Sequence, residues 1–210
     1  EHLQKIRTRP STSTTDRSRI PNEGGTEWIN RRFPNKVLGA DMIRYTKHTF
    51  SNPISASYAL MAVHKMSGYC WVVPLKGETP TSAEAASLLG QICTMSKKRF
   101  GVPITRLEVD QGSEFHGKVI DMCKRRGIRR IVLDKVSYVE SKNRHYQRYI
   151  SYLANSMSFT EAHKKTVLKL RNLKSRVTKQ TPESVGEKPP ARTHYKFTGK
   201  RKKKQKFSIG

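Results

Sequence analysis

Apolar residues alternate or cluster in short runs through the first part of the chain, and later recur at helical spacing. Val37–Ile43, Tyr58–His64 and Tyr69–Leu75 each predict a strand. Lys65-Met66-Ser67-Gly68 between the last two predicts a hairpin turn. From Thr81 to Arg99 the apolar positions Ala85, Leu88, Leu89, Ile92 and Met95 fall on one helical face. Thr81 and Glu84 have the spacing of a capping box at its start. Ile104–Val109 predicts a further strand that ends on Asp110. His116–Arg126 predicts a helix closed by Gly127, and Ile128–Leu133 a short strand. Tyr138–Ala154 and Thr160–Arg176 complete the pattern as helices. Three strands in a meander, followed by alternating helix and strand, predict an α/β domain with a mixed five-stranded sheet and helices on both faces.

Outside that stretch the periodicity stops. Residues 1–35 are rich in Ser, Thr, Arg, Pro and Gly and read as an extended basic arm or linker, with Trp28, Ile29 and Phe33 as its only anchors. Residues 36–186 form the core, and residues 187–210 a basic tail holding Pro189-Pro190 and the block Lys200-Arg201-Lys202-Lys203-Lys204. No internal repeat is visible. The chain opens on Glu1 rather than Met, as expected of a piece of a longer product.

Charge changes the picture most. Among 210 residues, 42 are Lys or Arg against 16 Asp or Glu, a formal net charge of +26. Such an excess favours a polyanionic partner, nucleic acid before an anionic membrane surface. No apolar run approaches the roughly 18–20 residues that cross a bilayer, which excludes an integral membrane protein of helical type. Three scattered cysteines, Cys70, Cys93 and Cys123, form neither a CxxC pair nor an even-numbered framework, and point to a reducing compartment. Cys123 neighbours Lys124, Arg125 and Arg126, whose charges would lower its thiol pKa, but no His or Asn constellation supports a cysteine nucleophile. Neither His48, His116, His145 nor His163 has a Cys or acid at the spacing of a zinc site, and His64 and Trp71 read as core.

In so basic a chain, acids inside apolar runs demand an explanation. Asp41 lies within the first strand, Asp110 ends the fourth, and Glu140 opens a helix after Tyr138-Val139. If the first and fourth strands are neighbours, Asp41 and Asp110 point into one space, and a helix start beside them adds Glu140. Three such carboxylates suit Mg²⁺ or Mn²⁺. Two ions about 3.5–4 Å apart could serve an in-line attack on a phosphodiester.

The residues around these acids resemble a family. Leu107-Glu108-Val109-Asp110-Gln111-Gly112-Ser113-Glu114-Phe115 resembles the second-aspartate motif of retroviral-type and retrotransposon integrases, and Val139-Glu140-Ser141-Lys142-Asn143-Arg144 is similar to their glutamate helix. Met61–Tyr69 resembles their second and third strands. Thr181-Pro182-Glu183-Ser184-Val185 is similar to the segment that closes the core in related, Maverick-like transposon integrases. The motifs keep the family's order across roughly Val37 to Val185. The resemblance implies a ribonuclease-H-like fold, with Asp41, Asp110 and Glu140 as catalytic triad and ligands of two Mg²⁺ or Mn²⁺ ions. The implied activity is DNA 3′-end processing and strand transfer by a DDE-type polynucleotidyl transferase working as a homo-oligomer on element ends and target DNA. A nuclear location, or a viral particle before entry, follows from the same resemblance.

On a helix from Tyr138, Glu140, Asn143, Arg144, Gln147 and Arg148 share one face, where amides and cations could hold phosphates beside the metals. Relatives use the positions equivalent to Arg144 and Gln147 for DNA. Lys200, Arg201 and Lys202 in the tail add a phosphate clamp or a nuclear-entry signal. Lys97-Lys98-Arg99, Lys124-Arg125-Arg126 and Arg129-Arg130 widen the basic footprint or complement helix C-termini.

The sequence departs from the family in four places. Leu38 and Gly39 stand where relatives often carry Trp or Gln. Only 29 residues separate Asp110 from Glu140, fewer than usual, and the shortening falls between Gly127 and Tyr138, a stretch that contains Asp134. His2 alone, with no Cys, precedes Asp41, so the upstream zinc module is missing. Lys206–Gly210 resembles the entry to the family's small C-terminal barrel without its body. These departures support a second reading, a catalytically inactive integrase-derived nucleic-acid-binding or structural protein. A ribosomal-type RNA binder is a third.

Overall fold

In the computed structural model, which describes residues 35–45, 56–77, 79–175 and 179–185, five strands form one mixed sheet in the order β3-β2-β1-β4-β5. Strands β1 (Val37–Arg44), β2 (Tyr58–His64) and β3 (Cys70–Leu75) form an antiparallel meander. β4 (Arg106–Val109) and β5 (Arg129–Val132) run parallel to β1 on its other side. The expected arm, apart from Asn35, and the whole basic tail with Lys200, Arg201 and Lys202 lie outside the described residues, as does His48.

Helices cover both faces. On one, α1 (Ser82–Phe100) and α2 (Lys118–Arg125) pack with Leu38, Ala40, Leu60, Ala62, Trp71, Leu107 and Val109 of the sheet. On the other, α3 (Ser137–Ala154) and α4 (Phe159–Asn172) pack with Ile43, Ala59, Met61, Val63, Cys70 and Val72. This division follows from the period of two in each strand. In β1 the residues between the core positions, Gly39 and Asp41, face the α3 side. In β4 the acids Glu108 and Asp110 alternate with Leu107 and Val109 in the same way. β3 is an edge strand, which explains why it tolerates Pro74.

The helix boundaries have local causes. Thr81 and Glu84 form the expected capping box, and Gly101 ends α1 in the left-handed region at φ 71°. Ser158 and Glu161 form a second capping box at α4. The helix expected from His116 begins two residues later, after a 3₁₀ turn over Ser113–Phe115 whose Phe115 is fully buried. Among the described residues, no helix is long and apolar enough to cross a membrane.

The burial of Cys123 overturns the expectation of a lowered pKa. Desolvation by the core raises the thiol, and Arg130 offsets it only in part. His64 and Trp71 are core, as expected, and the His64 ring stacks on Phe100 at 4.1 Å between centroids.

Candidate active site

The site forms where β1 and β4 run side by side. Their parallel register pairs Val37 with Arg106 and Gly39 with Glu108. Continued by two residues, it sets Asp110, just beyond the end of β4, beside Asp41. Adjacent strands lie about 4.8 Å apart, so two carboxylates on one face at the same level are close neighbours. The first turn of α3 crosses this face and carries Glu140, whose N–H donates to the Val136 carbonyl oxygen at 3.0 Å.

The neighbouring acids act on Asp41 through their charges. The Asp41 carboxyl is pushed up to about 6, first by burial and next by the charge of Asp110, with Glu140 and Glu114 adding to the shift. The Met42 N–H, which donates to Asp41 Oδ1 at 2.8 Å, opposes it. Of the three acids expected from sequence, Asp110 and Glu140 thus act on Asp41 through their charges, and so does Glu114 of the 3₁₀ turn. Among the described residues, none of the four has a basic side chain within ion-pair distance.

Asn143 takes a different place from the one expected. It is 7% exposed, and its side-chain amide donates to Asp41 Oδ2. The inward stripe of α3 is Val139, Asn143, Tyr146, Ile150 and Ala154, so position 143 belongs to the buried face. Among the described residues, Asn143 Oδ1 is buried without a hydrogen-bond partner. Arg144, Gln147 and Arg148 are exposed, as expected of groups that meet a large polyanion. Tyr146 and Ile150 are fully buried on the opposite side.

The chemistry of the donor set suits a hard cation, because it consists of oxygens from like-charged, partly desolvated side chains without a basic neighbour among the described residues. Among the described residues, no three acid, His or Cys side chains are gathered closely enough to ligate one ion. Asp41 is turned to Met42 and Asn143, and Asp110 Oδ1 accepts from the Gly112 N–H at 3.0 Å.

Comparison with solved structures bears on the fold. The catalytic core domain of HTLV-2 integrase, solved in complex with magnesium in a trimeric form, superposes with a TM-score of 0.56 over 73% of this chain and 97% of that one, at 20% identity. The chain shares the fold of that domain. No protein-family model and no curated protein matches the sequence. The ribonuclease-H-like, mixed five-stranded sheet with helices on both faces expected from the hydrophobic pattern and the motifs is therefore present.

Sequence reasoning missed several residues of this neighbourhood. Glu108 is buried beside the site and held by Lys65 Nζ at 2.9 and 3.0 Å and by Arg106 Nη2 at 3.0 Å. The Tyr138 hydroxyl donates to it at 3.1 Å. The signal for Glu108 is an acid at the alternate position of an apolar strand, in phase with Asp110.

Proposed function

We propose that this chain is the catalytic core of an integrase or transposase that processes DNA 3′ ends and transfers them into target DNA with the help of divalent cations. The observation that supports it is the β1–β4 register that continues to Asp41 beside Asp110, together with the charges of Asp110 and Glu140 acting on the Asp41 carboxyl. Asp41, Asp110 and Glu140 are the residues that would hold two Mg²⁺ or Mn²⁺ ions. Bound there, the ions supply charge compensation and nucleophile activation for an in-line displacement at phosphorus. Magnesium in the HTLV-2 integrase core agrees with this choice.

The chain's own groups orient and bind. The Asn143 amide fixes the Asp41 carboxylate on the face it shares with Asp110. Arg144, Gln147 and Arg148 lie one and two turns along α3 from Glu140, about 6–12 Å at the helical rise, and hold the phosphate backbone next to the carboxylates. Lys200, Arg201 and Lys202 extend the clamp on the phosphates or act as a nuclear-entry signal. The partners are element ends and target DNA, and the working unit is a homo-oligomer that holds two ends in the nucleus, or in a viral particle before entry.

A second reading is an integrase-derived nucleic-acid-binding protein without catalysis. The engagement of Asp41 by Asn143, with no three ligands gathered among the described residues, favours it. Short duplexes with and without Mg²⁺ separate the two. The unmodified chain is expected to nick or join DNA only with Mg²⁺ or Mn²⁺. Asp110→Asn is expected to bind the same duplexes with unchanged affinity and to yield no product. Equal binding by both chains, with no metal-dependent product from either, contradicts the enzyme reading.

A further inference from the structure

Glu140 stands in the first turn of α3, yet that turn lacks the usual means of holding a helix start. The N-cap position is Val136, which offers no side-chain acceptor to the first amides, whereas α1 and α4 both have a complete capping box. A frayed first turn would leave the Glu140 carboxylate without a fixed place relative to Asp41 and Asp110.

What holds the turn is a contact with the sheet. Gly39 of β1 has no side chain, and the space a Cβ would need is taken. Such an atom would collide with Tyr138 Oη and lie 2.5 Å from Tyr138 Cζ and 2.7 Å from Val139 Cγ2. The start of α3 is therefore seated directly on the β1 backbone, at the residue paired with Glu108 and two before Asp41. The Tyr138 hydroxyl reaches across to Glu108, which is 4% exposed. Lys65 Nζ and Arg106 Nη2 fix that carboxylate in turn, and Lys65 Nζ also lies 5.1 Å from the centre of the Tyr138 ring. Lys65 is itself tied to β1, its N–H donating to the Val37 carbonyl oxygen at 2.9 Å. Hydrogen bonds to a charged, buried acceptor are the stronger kind.

We infer that Tyr138 and Glu108, closed over Gly39, are positioning residues that set Glu140 against Asp41 and Asp110. They replace the missing cap and seat the helix start where the connection from β5 is short, Val132 and Ser137 being separated only by residues 133–136. The clasp also accounts for glycine at position 39, since any side chain there would displace the tyrosine. The inference rests on the metal reading of the three acids for its functional meaning, and on the contacts alone for its structural part.

Tyr138→Phe removes the hydroxyl and keeps the ring. In the full chain, two readouts test it. Hydrogen exchange at the Val139 and Glu140 amides, both bonded to the Val136 carbonyl oxygen, is expected to quicken roughly 10-fold, the size of a lost bond to a charged acceptor. Mn²⁺ affinity, read by electron paramagnetic resonance, is expected to fall roughly 10-fold, as for other lost supports of metal ligands. Tyr152→Phe, at a side chain 77% exposed on the same helix, is the control and is expected to change neither. Faster exchange with no Mn²⁺ bound by the unmodified chain sustains the clasp and removes the metal reading. Unchanged exchange together with unchanged Mn²⁺ affinity overturns the clasp.

Discussion

The metal-free protein is expected to lose stability as the pH rises from about 4 to about 6, and Asp41→Asn is expected to abolish that loss. The Asp41 carboxyl is raised from 3.8 to about 6, by burial first and by Asp110, Glu140 and Glu114 after it. A raised carboxyl binds its proton more tightly in the folded state than in the unfolded one. Its contribution is therefore fully present below the unfolded pKa and gone once the pH passes the folded one. For a half-buried group, screened in part by solvent, the size is about 1–2 kcal/mol, or roughly 2–8 °C in Tm for a domain of this length. Glu84 and Glu161, lowered by their capping bonds, act in the opposite sense, so the informative quantity is the difference between the two chains at each pH. Thermal unfolding of both from pH 4 to 7.5 should give curves that converge toward acid and part near pH 6. Mg²⁺ at pH 7.5 should raise the Tm of the unmodified chain and leave Asp41→Asn unmoved. Parallel curves would mean that the acids do not act on Asp41 as the geometry implies.

Phe100→Ala is expected to cost about 3–5 kcal/mol, the range for removing a fully buried aromatic ring from a core that cannot close around the gap. Phe100 is fully buried at the end of α1. Its ring stacks on His64 and meets Tyr69 and Trp71 edge-on at 6.0 and 6.4 Å between centroids. His64 is held by Ser67 Oγ at 2.9 Å and by the Asn35 carbonyl oxygen at 2.9 Å, and burial lowers its pKa. Arg99 lies over the Tyr69 ring at 4.2 Å and binds Glu183 at 3.0 Å, which ties the segment 181–185 to the same cluster. With so many partners fixed, the site cannot collapse around an alanine, and the cavity persists. Urea unfolding of the variant would show this as a fall in midpoint at unchanged slope. A loss below about 1 kcal/mol would mean that the cluster repacks freely.

Much of this molecule is legible from residue order because its causes are local. The capping box at Thr81 and Glu84, the turn at Gly68 and the alternation in β1 all act within a few residues. Ser158 and Glu161 carry the same signature, yet periodicity alone starts that helix at Thr160 and runs it on to Arg176, where α4 ends at Asn172. What alternation could not supply is which strands meet. The parallel pairing of β1 with β4 joins segments some 70 residues apart, and it is this pairing that makes a site of Asp41 and Asp110. The motif resemblance supplies the trio without any knowledge of the pairing.

Asn143 and Gly39 show the limits most clearly. Counted from Glu140, Asn143 falls on the charged face. Counted from Val139, Tyr146 and Ile150 it falls within the buried stripe, and burial decides in favour of the second count. Gly39 reads only as a departure from the family pattern, because a glycine that makes room for a tyrosine a hundred residues later leaves no trace in its own neighbourhood. Glu108 carries a signal in its phase with Asp110, and Arg106 stands two residues before it on the same strand, but its partner Lys65 becomes visible only once the β2–β3 hairpin is folded on the other side of β1.

Anomalous X-ray scattering from crystals of the chain soaked in Mn²⁺ tests the shared-cation site most directly. One or two strong peaks bounded by the carboxylates of Asp41, Asp110 and Glu140, absent from crystals of Asp110→Asn, are the predicted result. Manganese bound elsewhere, with those three side chains unmoved and without a peak among them, would contradict it.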